Sequence, residues 1–192
     1  MTEENFLSLC LAEFQKLKTA IERALGQIAA EDYHRRLDPG SNSIAELMKH
    51  LAGNTRSRCL NFLSSDGEKP DRDRDQEFLS RADDSPDRLR RELDAAWAML
   101  FSEYGQLTEA DLDRTVLIRG EPHTVRRALL RQMQHHAGHT GQIVMLAKHF
   151  AGENWQTLSV PRGQSREYAK MMQGKFGTNL ETNSQTNSQT KG

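Results

Sequence analysis

The chain has 192 residues, with 26 Lys and Arg against 27 Asp and Glu and a formal net charge of −1. That length suffices for one domain with a real core. The balanced charge argues against nucleic acid as a partner and against an acidic, solvating tail protein.

The N-terminal residues lack a basic stretch followed by an apolar run, so they do not read as a signal peptide. Residues 3–29 carry Phe6, Leu7, Leu9, Cys10, Phe14, Leu17, Ile21, Leu25 and Ile28, spaced by threes and fours. This predicts a helix of about seven turns with one apolar stripe. The polar run Asp38-Pro39-Gly40-Ser41-Asn42 breaks it. Ser43 can cap a second helix, with Glu46 completing a capping box. Ile44, Leu47, Met48, Leu51, Leu60 and Leu63 give its stripe, and an end near Ser64 is expected.

Residues 66–81 are dense in charge of both signs, with Phe78 and Leu79 as the apolar anchors. An ordered loop pinned by Phe78 is expected; a connection this long is usually functional or a crossover. Ser85-Pro86 is a cap followed by a proline at the first helical position. Leu89, Leu93, Ala96, Trp97, Leu100 and Phe101 carry that third helix to about Tyr104. A short turn over 107–112, capped by Thr108, precedes a small hairpin: strands near 115–119 and 123–125 around Gly120-Glu121-Pro122. The fourth long helix spans 124–150 and is closed by Gly152, with Val125, Leu129, Met133, His136, Ile143, Leu146, Ala147 and Phe150 on its apolar side. Residues 170–176 read as a last helical piece. Domain boundaries of 1–177 and 178–192 follow, the second a low-complexity Thr-Asn-Ser-Gln repeat expected to be disordered. No run approaches 18 apolar residues, so no membrane span is expected and the cytoplasm is the default location.

Four long apolar-striped segments predict an all-α four-helix bundle. Chemistry concentrates in the last of them. His135 and His139 lie four residues apart, which on a helix places two imidazoles about 40° apart and one turn up. Such a pair can chelate one divalent ion, and leaving both rings buried and unpaired would cost about 1–3 kcal/mol each. His136 lies nearer the centre of the apolar stripe, and His136 with His139 can also chelate, so periodicity leaves the pair open. His50, between Leu47 and Leu51, is the histidine on another core-forming helix; His34, His123 and His149 are weaker candidates. Cys10 and Cys59 lack a Cys-x-x-Cys spacing and support neither a disulfide framework nor a zinc finger. Cys59 is nine residues past His50, about half a turn round the helix, and should face away from it.

With these residues placed, the chain resembles the DinB/YfiT-like metalloenzyme superfamily, and within it a branch whose domain has no assigned function. The resemblance rests on Asn42-Ser43-Ile44-Ala45-Glu46-Leu47-Met48-Lys49-His50-Leu51-Ala52-Gly53-Asn54, on Asn61-Phe62-Leu63, and on Asp66-Gly67-Glu68-Lys69-Pro70 with Arg72, Arg74-Asp75 and Glu77-Phe78. It continues through His135, His139, Gly141-Gln142-Ile143, Ala147-Lys148, Trp155, Leu158-Ser159 and Pro161-Arg162-Gly163, covering roughly 5–170.

The resemblance implies an up-down-down-up bundle, often a homodimer, and a divalent metal on His50, His135 and His139. His136 then takes a packing position where relatives often carry an aromatic ring. Three ligands leave an open position, the mark of a catalytic site. Better-understood relatives are bacillithiol- or mycothiol-dependent transferases. They suggest a metal-dependent S-transferase or hydrolase acting on a small molecule, with a low-molecular-weight thiol as the expected partner. The alternative is a non-catalytic, metal-stabilised binding or stress-response protein. Imidazole ligands suit zinc or nickel, and iron or manganese as well. Asn54 and Gln142 could orient a ligand or simply pack; Arg72 could recruit an anionic substrate or sit in an ion-paired loop; Trp155 and Arg162 could line the cleft.

Overall fold

The computed structural model describes residues 5–177, and the repeat from 178 onward lies outside the described residues. The chain divides between Trp155 and Gln156 into two compact units. The first is mostly helical, with one two-stranded sheet.

Helix α1 runs Phe6–Leu25. Asn5 and Ser8 cap it reciprocally: Ser8 N donates to Asn5 Oδ1 at 2.8 Å and Asn5 N to Ser8 Oγ at 3.1 Å. These bonds satisfy amides that the first turn would otherwise leave orphaned. Gly26 ends the helix, four residues short of the expected end. Leu7, Cys10, Phe14, Ile21 and Leu25 are buried. Leu9, expected in the stripe, is 46% exposed, because its phase falls outside the arc swept by those residues.

Helix α2 spans Ile44–Cys59, with the Ser43–Glu46 box in place: Ser43 N donates to Glu46 Oε2 at 2.7 Å and Glu46 N to Ser43 Oγ at 3.3 Å. It ends at Cys59 rather than near Ser64, since Asn61 adopts φ 53° and the chain turns away. Helix α3, Pro86–Gly105, starts at the Ser85 cap with proline in its first turn. The hairpin pairs β1, Thr115–Ile118, with β2, Glu121–Thr124. Its turn is Arg119-Gly120, both at positive φ (57° and 75°), as a two-residue hairpin loop requires. Glu121 and Pro122 are therefore strand residues and not the turn; a two-stranded ribbon has free edges that tolerate the proline. Helix α4, Val125–Ala151, runs 27 residues to Gly152 at φ 56°.

Helix α2 packs most extensively against α3, and α1 against α4; α2 also meets α4. The core carries a ring cluster of Phe14, Trp97, Tyr104 and His136.

The segment between α2 and α3 is ordered, but its pins are largely polar. Phe78 is only half-buried, whereas Glu77 and Asp84 are buried. Lys49 Nζ, itself buried, bonds Asp84 Oδ2 at 2.6 Å and the Leu79 carbonyl. At the other end Asp66 accepts from the Arg119 and Gly120 amides at 2.8 and 2.7 Å, and Gly67 N donates to the Leu117 carbonyl at 2.8 Å. No helix among the described residues is long and apolar enough to cross a membrane.

In the second unit, helix α5 covers Ser165–Phe176, beginning earlier than the expected 170, with none of its residues buried.

Candidate metal centre

Helices α2 and α4 bring His50, His135 and His139 together. One ligand atom from each lies within 4.8 Å of the others. The ring centroids are 5.1 Å apart for His50–His135, 4.8 Å for His50–His139 and 4.6 Å for His135–His139. The Nε2 atoms of His50 and His135 stand 3.0 Å apart. Two imidazole nitrogens on one tetrahedral zinc keep roughly 3.3 Å, given Zn–N bonds of about 2.0–2.1 Å.

His136 is not part of this group. It is fully buried in the ring cluster, with centroids 4.9 Å from Trp97 and 5.6 Å from Phe14. Its Nδ1–H donates to the Gln132 carbonyl at 3.0 Å, so its Nε2 accepts from the Thr55 hydroxyl at 2.9 Å. Both nitrogens are satisfied and the ring is neutral, burial pushing its pKa down to about 4.

The outward nitrogens of two of the grouped rings are held. His50 Nδ1 donates to Glu77 Oε2 at 2.8 Å, and His139 Nδ1 donates to Gln142 Oε1 at 2.7 Å. Each acceptor oxygen fixes the proton on Nδ1 and leaves the Nε2 lone pair free to ligate. His135 Nδ1 is buried with no hydrogen-bond partner among the described residues. Burial pushes His135 down to about 3, with His139, His136 and His50 adding to it. Burial also lowers His139, partly opposed by its bond to Gln142. His135 and His139 are thus pushed toward the neutral form that binds metal.

Glu77 is the residue the sequence reading left without a role. Burial alone would raise its pKa, but bonds from His50 and Arg72 outweigh that and hold the carboxyl below its usual range. Arg72 grips it with two bonds, Nε to Oε1 at 2.8 Å and Nη2 to Oε2 at 3.0 Å. With its side chain 5% exposed and committed to Glu77, Arg72 is not placed to recruit an anionic substrate. The signal for Glu77 was its position beside Phe78, the loop's apolar anchor; that ring lies 5.0 Å from the His50 ring.

Asn54 Oδ1 accepts from Gln132 Nε2 at 3.0 Å, a buried bond tying α2 to α4. Trp155, half-buried, closes the first unit; Arg162, exposed, belongs to the second. Cys59 is buried, its thiol pushed up to about 12 by desolvation, which makes it inert. A shallow open depression lined by Arg131, Gln134, His135, Gly138, His139 and Gln142 gives access from solvent to the two α4 histidines.

These residues fit a divalent ion: three imidazoles on two helices, two of them pre-oriented, converge beside an open surface. Among the described residues they form the group suited to metal.

A family model described as a protein of unknown function, DUF1572, matches residues 1–164. The fold is similar to that of a conserved protein from Enterococcus faecalis, at 19% identity and TM-score 0.60, covering 78% of this chain and 99% of that one. It is also similar to a DinB-like protein from Bacillus subtilis, at 18% identity and TM-score 0.59, covering 78% of this chain and 96% of that one. No curated protein matches in sequence.

Proposed function

The chain belongs to the DUF1572 family of proteins of unknown function and has a DinB-like fold, and from that premise we propose that it is a metal-dependent enzyme acting on a small molecule. On this reading the four long helices form an up-down-down-up bundle, and His50, His135 and His139 hold one divalent ion, zinc or nickel before iron or manganese. The observation that carries the proposal is the convergence of three imidazoles from α2 and α4, two with their outer nitrogens already bonded.

A divalent ion there supplies Lewis acidity toward a thiol, carbonyl or water at the vertex the protein leaves open. The chain's own residues orient and shield. Glu77 and Gln142 fix two of the rings, Phe78 covers His50, and Arg131 and Gln134 border the approach. That approach is shallow and polar-edged, which suits a small polar substrate such as a low-molecular-weight thiol. The reaction class we favour is an S-transfer or hydrolysis, in the cytoplasm and in a homodimer, with Trp155 as a further cleft residue. A monomer by light scattering would remove the dimer from the proposal.

One observation favours a second reading. Helix α2 meets α4 less extensively than it meets α3, and the three histidines bridge that weaker contact. A metal there would also act as a staple in a non-catalytic binding or stress-response protein.

Elemental mass spectrometry of the purified chain tests the common core of both readings. One divalent ion per chain is expected, lost in His50→Ala and in His135→Ala/His139→Ala. A metal content unchanged by all three substitutions would contradict it. Screening thiol and amide substrates with and without chelator then separates enzyme from staple: turnover that chelation abolishes supports the first, and chelation that only lowers the melting temperature supports the second.

A further inference from the structure

Gly53 lies in the interior of α2, where glycine destabilises a helix by roughly 1 kcal/mol relative to alanine. Its backbone has no positive φ to excuse it. Its surroundings supply the reason. A Cβ built on Gly53 would stand 2.2 Å from Glu77 Oε1, 2.9 Å from Glu77 Cδ and 3.4 Å from Glu77 Cγ. The atoms it would strike are the end of one side chain and not backbone, so the fold can yield there, and what yields is the carboxylate. That carboxylate holds His50 Nδ1 through Oε2 and Arg72 through both oxygens. By contrast, a Cβ on Gly138 or Gly141 of α4 would meet nothing within 4 Å.

We propose that Glu77, delivered by the segment between α2 and α3 and clamped by Arg72, is a positioning residue that selects which nitrogen His50 presents to the metal, and that residue 53 is glycine to admit that carboxylate. The chain of contact is Arg72 to Glu77 to His50, with Gly53 as its clearance. The carboxylate accepts only, so His50 carries its proton on Nδ1 and turns an unprotonated Nε2 toward His135. The segment packs on α2 at this place, which makes its docking and the ligand's orientation one event.

The inference rests on the metal reading above, and its test keeps the two separable. Zinc affinity of the full chain is measured by competition with a chromophoric chelator. Gly53→Ala and Glu77→Ala should each weaken zinc binding about 10–100-fold, the range typical for removing an outer partner of a ligand. Glu77→Gln, which keeps one acceptor oxygen, should recover part of the loss. In a Glu77→Ala background, Gly53→Ala should have no further effect on affinity. Wild-type affinity in Gly53→Ala, or effects that add in full, would overturn the proposal. Imidazole nitrogen NMR of the metal-free chain reads the same idea directly: His50 protonated on Nδ1 in the wild type, and that preference lost in Gly53→Ala and Glu77→Ala. If the wild type takes up no zinc, the metal reading fails while the tautomer experiment still decides this one. If Gly53→Ala does not fold, Glu77→Ala and Glu77→Gln carry the decision by the same spectrum.

Discussion

At the scale of single residues, two neighbouring histidines on α4 face opposite duties. His135 turns toward His50, while His136 is locked into the core by Gln132, Thr55 and two aromatic rings. Burial lowers the His136 pKa from 6.5 to about 4. The unfolded chain therefore takes up a proton before the folded one does. His136 contributes stability fully above pH 6.5 and loses it as pH falls toward about 4, at up to about 1.4 kcal/mol per unit. His136→Phe keeps the ring packing and removes that titration. Its unfolding free energy in urea, with chelator present, should fall by about 1–2 kcal/mol less than wild type between pH 7 and pH 5. An identical pH dependence in the two proteins would show that His136 is not held neutral. The sequence left His136 as a rival ligand because helical phase says which side of a helix a residue takes, not which neighbour its ring meets. The i, i+4 spacing of His135 and His139 was readable; periodicity left 135 and 136 open, the resemblance implied 135, and the ring contacts set His136 in the core.

At the scale of elements, the connection between α2 and α3 is the part that sequence described least well. Its charges read as an ion-paired loop or as a lure for an anionic substrate, without partners named, and one apolar residue, Phe78, suggested itself as the pin. The structure uses the charges instead: Glu77 on His50 and Arg72, Asp84 on Lys49, Asp66 on the hairpin turn. Apart from Arg72 with Glu77, five positions apart, these pairings join residues 27 to 54 positions apart, and no local pattern announces them. Helix starts were legible, because Ser43 with Glu46 and Ser85 with Pro86 solve a local problem of orphaned amides with local residues. Hairpin boundaries were less so, since Pro122 reads as a turn residue until the positive φ of Arg119 and Gly120 places the turn before it. The Asp66 carboxylate accepts from both turn amides and from Glu68 N. Asp66→Ala should therefore destabilise the chain by about 0.5–1.5 kcal/mol through the lost bonds to the turn, measured as a lower urea midpoint at unchanged slope. No change in midpoint would mean that water replaces the carboxylate without loss.

At the scale of the whole molecule, one ion would join elements that the chain brings together only through tertiary packing. His50 and His135 are 85 positions apart, and α2 and α4 share a modest contact. Ligand that binds only the folded state stabilises by mass action, about 2.7 kcal/mol at a hundredfold excess over Kd. Zinc at that excess should raise the melting temperature of the metal-stripped chain by roughly 5–10 °C. His50→Ala should show no such rise, and equal rises in both would place the zinc elsewhere.

The most direct measurement is an anomalous difference map from crystals grown with zinc. A single strong peak is expected at about 2.0–2.1 Å from Nε2 of His50, His135 and His139, with Glu77 still on His50 Nδ1. A map from zinc-replete crystals with no peak between those three rings, or with its strongest peak on another group of side chains, would contradict the proposed centre.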